Sequence, residues 1–164
     1  MPPPTTVLVL AGPAGSGKTT VGRTLAERLG WAFADADAFH SAAAVGKMGR
    51  GEALTDADRA PWLGRLAHRI ARAQADGAPL VLACSALRAA HRARLRADGV
   101  VFVWLDVPPD VLARRLAART GHFAGPDLLA SQLATAEPQS DVTRVDATAT
   151  PEQVAEAIRR AVGV

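Results

Sequence analysis

Cysteine occurs once, at Cys84, so no disulfide can form within the chain. The lone thiol also argues against a zinc site, because the four histidines, at 40, 68, 91 and 122, have no close ligand spacing. Tyrosine is absent and aromatics make up 4% of the residues, which leaves the core to Leu, Val, Ile and Ala. Long apolar runs are missing as well. The run Val7-Leu8-Val9-Leu10-Ala11 is too short for a signal peptide or a membrane span, and Met1 to Thr6 carries no charge ahead of it. A cytoplasmic protein without a membrane partner is therefore expected. There is no basic arm and no set of stacking aromatics. Lys and Arg total 19 against 16 Asp and Glu, a formal net charge of +3. Despite a sequence pI of ≈ 10.0, that mild excess suits a small anionic substrate better than nucleic acid.

What is present alternates between strand and helix signals. A length of 164 residues fits one domain, 1–164, with a genuine core. Val7 to Ala11 reads as a strand covered on both faces. Val21, Leu25 and Leu29 recur at helical spacing, and Gly30 is placed to end that helix. Trp31 to Asp35 reads as a second strand. Thr55 predicts an N-cap with Asp56 and Asp58 in the first turn, and Trp62, Leu66 and Ile70 then share one face. Pro79 to Cys84 and Val100 to Leu105 are further buried strands. Ser85 is expected to cap the helix after the first of these, and Pro109 to open the helix after the second. Apolar rhythm fails between Ala117 and Pro126, where a flexible excursion is expected. Val142 to Val145 is a weak last strand, followed by the capping signal Thr150-Pro151-Glu152-Gln153. Strand–helix alternation implies a parallel sheet with helices on both faces and ligands at the carboxyl ends of the strands.

Gly12-Pro13-Ala14-Gly15-Ser16-Gly17-Lys18-Thr19 matches the nucleotide-binding pattern G-x-x-x-x-G-K-[ST] at every fixed position. Glycines let the backbone curl so that its N–H groups point at phosphate oxygens, and the following helix adds its positive end. Lys18 is expected to reach the β- and γ-phosphates and Thr19 to offer a hydroxyl to Mg²⁺, with Thr20 at the edge of the nucleotide contacts. Asp35-Ala36-Asp37 stands at the end of the second strand. Two carboxylates at that spacing can divide their work: Asp37 as the base for an acceptor hydroxyl, Asp35 on the metal side. Asp106 also follows a strand but ranks below Asp35 for the metal.

The segments GPAGSGKTT, DADAFH, KMGRGEALTDADRAPWL, ACSALR, RTGHF and LLASQLATAEP together resemble the gluconate kinase (gluconokinase) family. They run in that family's order from Leu8 to about Pro138. The resemblance implies a three-layer α/β/α P-loop kinase fold with a five-stranded parallel sheet and a short mobile lid at about 117–126. It implies ATP, Mg²⁺ and transfer of phosphate to D-gluconate, commonly by a homodimer. Carried onto this chain, Asp37, His40, Lys47, Arg59, Arg88, Arg92 and His122 fall on the acceptor side, with Arg59 suited to a carboxylate. Arg115 and Arg119 fall on the nucleotide, and Arg119 with Lys18 and Asp37 makes up the catalytic set. Two departures stand out: Ala44 replaces the family's usual Asn, and His91-Arg92-Ala93 replaces Tyr-Arg-Asp. The alternatives are a related kinase for shikimate, a nucleoside monophosphate or adenylylsulfate, and a nucleotide-binding switch or nucleic-acid-associated module.

Overall fold

The computed structural model describes residues 4–119, 126–138 and 140–164. In chain order the elements are β1 (Val7–Ala11), α1 (Lys18–Leu29), β2 (Ala32–Asp35), a single 3₁₀ turn (Ala36–Phe39), α2 (Ala42–Gly49), α3 (Asp56–Ala75) and β3 (Leu80–Ala83). Then come α4 (Ala89–Leu95), β4 (Val100–Asp106), α5 (Pro109–Ala117), α6 (Pro126–Thr135), β5 (Thr143–Asp146) and α7 (Pro151–Val162). The five strands form one parallel sheet in the order β2-β3-β1-β4-β5. Val7 of the central β1 pairs with Leu80 on one side and Val100 on the other.

All five residues of β1 are fully buried, because successive side chains enter opposite faces and each face is covered. Val7 and Val9 join Trp62, Leu66 and Ile70 of α3 with Phe102 and Trp104 of β4. Leu8 and Leu10 join Val21 and Leu25 of α1 with Val154 and Ile158 of α7. Helices thus lie on both sides of the sheet, in three layers. Each fully buried Leu contributes about 2 kcal/mol of apolar transfer, so the sheet is a rigid base for the loops at its carboxyl edge.

Local signals set most helix ends. Thr55 and Asp58 form a reciprocal capping box on α3, and Thr150 and Gln153 do the same on α7. Gly30 ends α1 in the left-handed conformation. Gly22 has a packing role, since a Cβ there would stand 2.7 Å from the Phe33 ring. Its hydrogen lets α1 lie against β2, which brings the start of that helix close to the end of the strand.

One expectation changes. Ser85 caps no helix: α4 begins only at Ala89, with Arg88 at the N-cap and no side-chain cap bond. The chain between β3 and α4 is instead an irregular turn through Ala86, which has a positive φ of 37°. The short helices α2 and α6 are additions, because neither carries an apolar stripe long enough to read. The lid expected at about 117–126 falls largely on residues 120–125, outside the described residues.

Candidate active site

The loop between β1 and α1 is shaped by glycine. Gly12 has φ 150°, and a Cβ there would stand 2.9 Å from the Ser16 hydroxyl and 3.3 Å from the Leu105 carbonyl. A side chain at that position would push the loop off the sheet edge. Gly15 and Gly17 also take positive φ, and α1 starts directly after them at Lys18. Free N–H groups of the first helical turn therefore face the mouth of the loop. Lys18 folds back over that mouth, its Nζ donating to the carbonyls of Gly12 at 2.7 Å and Pro13 at 2.9 Å. Burial lowers its pKa to about 8, against the opposing pull of Asp37, Cys84 and Asp35, while Arg119 lowers it further.

The end of β2 supplies the carboxylates. Asp35 accepts from the Thr19 hydroxyl at 2.8 Å through one oxygen and from the Asp37 amide at 3.0 Å through the other. One residue thereby joins the first turn of α1 to the 3₁₀ turn that carries Asp37. The Asp37 side chain is exposed, and its charge is the strongest ionic influence on both Lys18 and His40. His40 stacks on Trp62 with ring centroids 4.4 Å apart and planes 9° from parallel. Trp62 is itself anchored by its indole N–H on the Ala36 carbonyl at 2.8 Å. Burial, with Arg65 and Arg59 nearby, lowers the His40 pKa, so the ring is neutral near pH 7. Its Nδ1 is buried with no hydrogen-bond partner among the described residues.

Arginines form the next wall. Arg59 of α3 and the cap residue Arg88 of α4 converge on the exposed carboxylate of Asp56, at 3.5 and 3.3 Å. A small acid can take the place of such a carboxylate between two guanidinium groups. His91 lies in the same field, its pKa lowered by burial and by Arg59 and Arg88. At the other end, Arg115 donates to the carbonyls of Gly15 at 3.2 Å and Ala147 at 2.9 Å, fastening the loop to the end of β5. Beside it an open cleft of ≈ 420 Å³ is lined by Asp106, Val107, Pro108, Asp146 and Thr148.

Known proteins resemble this chain in sequence and in fold. The family model described as AAA domain matches residues 7–139. The gluconokinase of Gluconobacter oxydans is 48% identical over 159 residues, covering 93% of this chain and 89% of that protein. The chain belongs to the gluconokinase family. A crystal structure of a sugar kinase from Janibacter sp. superposes with a TM-score of 0.89 at 40% identity, over 98% of this chain and 96% of that one. A gluconokinase structure from Sinorhizobium meliloti gives 0.81 at 38% identity, over 97% and 90%.

Not every residue carried over from the gluconokinase family is open to a ligand. Arg92 is a correction: its side chain is fully buried. All five of its N–H donors are engaged, by both Asp141 oxygens at 2.7 and 3.1 Å, the carbonyls of Ala86 and Leu87 at 2.8 and 3.1 Å, and the Glu137 carbonyl. None is left for a substrate. Lys47 is held at 2.7 Å by Asp58 of the α3 capping box, which ties α2 to α3. That contact holds the Asp58 pKa down at about 2. Thr20 is exposed on α1, its carbonyl accepting from the Thr24 hydroxyl. Arg119 follows α5 and its charge reaches Lys18. His122 lies outside the described residues. Asp106 is paired with Arg144 at 2.6 Å, which engages it away from the loop. Cys84 is buried, with its thiol pKa pushed up to about 12, so it is packing and no nucleophile. Sequence reasoning missed the cleft beside Asp146 and the contact of α6 with the loop. Both depend on residues far apart in the chain.

Proposed function

We propose that this chain transfers the γ-phosphoryl group of ATP to the terminal hydroxyl of D-gluconate, giving 6-phospho-D-gluconate and ADP. The carrying observation is that Lys18, Thr19, Asp35 and Asp37 share one neighbourhood at the ends of β1 and β2. In this reading the loop holds the phosphates through its N–H groups, and Lys18 leaves Gly12 and Pro13 for the β- and γ-phosphates. The cleft at Asp146 receives the base, with Arg115 and Arg119 alongside. Asp37 orients the acceptor hydroxyl and takes its proton as the new P–O bond forms and the bond to the β-phosphate oxygen breaks. His40 faces the sugar hydroxyls, and Arg59 with Arg88 grips the carboxylate in place of Asp56.

The Thr19 hydroxyl and the Asp35 carboxylate offer hard oxygens 2.8 Å apart, a donor set suited to Mg²⁺, which needs few protein oxygens beside the phosphates. The ion would be held there and would neutralise phosphate charge. The same reading takes the chain as a single kinase domain acting as a cytoplasmic homodimer, without nucleic-acid or membrane partners. Light scattering on the purified protein tests the dimer.

A coupled ADP-release assay over gluconate, other aldonates, shikimate and AMP tests the reaction. Turnover should need gluconate, ATP and Mg²⁺ together. Good turnover on another acceptor with none on gluconate would overturn the assignment.

A further inference from the structure

One contact in the phosphate loop reaches far along the chain. The backbone N–H of Ala14 donates to Oε1 of Gln132 at 2.7 Å, across 118 positions. Gln132 stands on α6, and packing holds that helix in place: Leu129 and Leu133 of α6 meet Leu112 and Leu116 of α5, with Ala14 packed against the same cluster. The loop is therefore gripped at Ala14 by both its methyl group and its amide.

The end of the loop being gripped is defined by Lys18. In loops of this pattern the lysine ammonium reaches the β- and γ-phosphates. Here that ammonium lies on the carbonyls of Gly12 and Pro13, immediately before Ala14. Lys18 has to leave those carbonyls to reach phosphate, so its contacts mark the stretch of loop that the lysine covers. On the reading of the loop as the ATP cradle, Gln132 meets the loop on that stretch. A side-chain amide offers an acceptor and two donors on one carbon. With Oε1 fixed on the Ala14 N–H, the two Nε2 donors are kept at this stretch of the loop, where a terminal phosphate can take them. A carboxylate could fix the loop equally well but would repel that phosphate, and an aliphatic side chain could do neither.

We propose that Gln132 is a specificity-determining residue that positions the Ala14 peptide and favours nucleoside triphosphate over diphosphate. The inference rests on the reading of the loop as the ATP cradle. Removing one hydrogen-bonding partner of the terminal phosphate corresponds to about a tenfold change in binding.

The test is calorimetric binding of ADP and of a non-hydrolysable ATP analogue to the full chain, unaltered and as Gln132→Leu and Gln132→Glu. Gln132→Leu should weaken the triphosphate about tenfold and leave ADP within about twofold. Gln132→Glu, which keeps the acceptor oxygen, should weaken the triphosphate at least as much. Equal losses for both nucleotides, or no loss, would overturn the inference. Should either variant fail to fold, the unaltered protein still decides. Its Gln132 side-chain amide resonance should move with the triphosphate analogue and stay put with ADP, and equal movement with both overturns the proposal. If the unaltered protein binds neither nucleotide, the cradle itself is refuted. If it binds both and the variants behave alike, only the role of Gln132 is lost.

Discussion

At the end of β1 the site is made of backbone. Gly12, Gly15 and Gly17 take conformations that other residues rarely adopt, and the contacts are N–H groups and carbonyls. Across the sheet edge, at the starts of α3 and α4, it is made of side chains that hold one another. Asp56 sits between Arg59 and Arg88, Asp58 holds Lys47, and His40 lies on Trp62. A backbone site tolerates few sequences and binds what every triphosphate shares. A side-chain site can change its acceptor by single substitutions. The departures at Ala44 and His91 both fall on the side-chain half.

The comparison can be broken at four points. The largest effect should come from Asp37→Asn, which removes the carboxylate proposed as the base without touching the loop. Turnover should fall by about 10²–10⁴-fold, the range for losing a positioned general base. ATP affinity, measured separately, should hardly change; an equal fall in both would move Asp37 to the nucleotide half.

Next comes a contrast between two arginines four residues apart. Arg92→Ala removes five hydrogen bonds, leaving the Ala86 and Glu137 carbonyls without that donor and Asp141 to Arg96 alone, and should cost about 3–5 kcal/mol in denaturant unfolding. Arg88→Ala removes a half-exposed pair with Asp56 and should cost at most about 1 kcal/mol while weakening gluconate use. Similar unfolding costs for both would mean that Arg92 is not the internal anchor its bonds describe.

The third is pH. Lys18 is charged below about 8 in the free protein and neutral above it. Bound phosphate favours the charged form, so binding takes up a proton at higher pH. ATP affinity should be level just below about 8 and fall by up to tenfold per pH unit above it. A flat profile to pH 10 would remove Lys18 from the phosphates. The smallest effect should come from Arg59→Lys, which keeps the charge but loses the planar fork. The gluconate KM should rise about tenfold at constant ATP affinity. Unchanged kinetics would take Arg59 off the carboxylate.

These two halves were unequally legible in the sequence. The loop could be read because its residues are contiguous and its glycines are required by local conformation. The α3 cap was readable for the same reason, since Thr55 and Asp58 are neighbours. Arg92 was not, because Arg88 to Arg96 looks like a solvated helix face. Only the fold brings Asp141 to it, 49 residues away. The same holds for Gln132, whose segment resembled the family but showed no partner. Ser85 misled because a serine before a helix reads as a cap, whereas the left-handed Ala86 turns the chain first.

The most direct test of the account is the phosphorus NMR spectrum of the product made from ATP and gluconate. Transfer to the terminal hydroxyl predicts a new phosphomonoester signal split by a pair of methylene protons, growing in step with ADP. A signal split by a single proton, or inorganic phosphate alone, would contradict the placement of gluconate between Asp37 and the arginines.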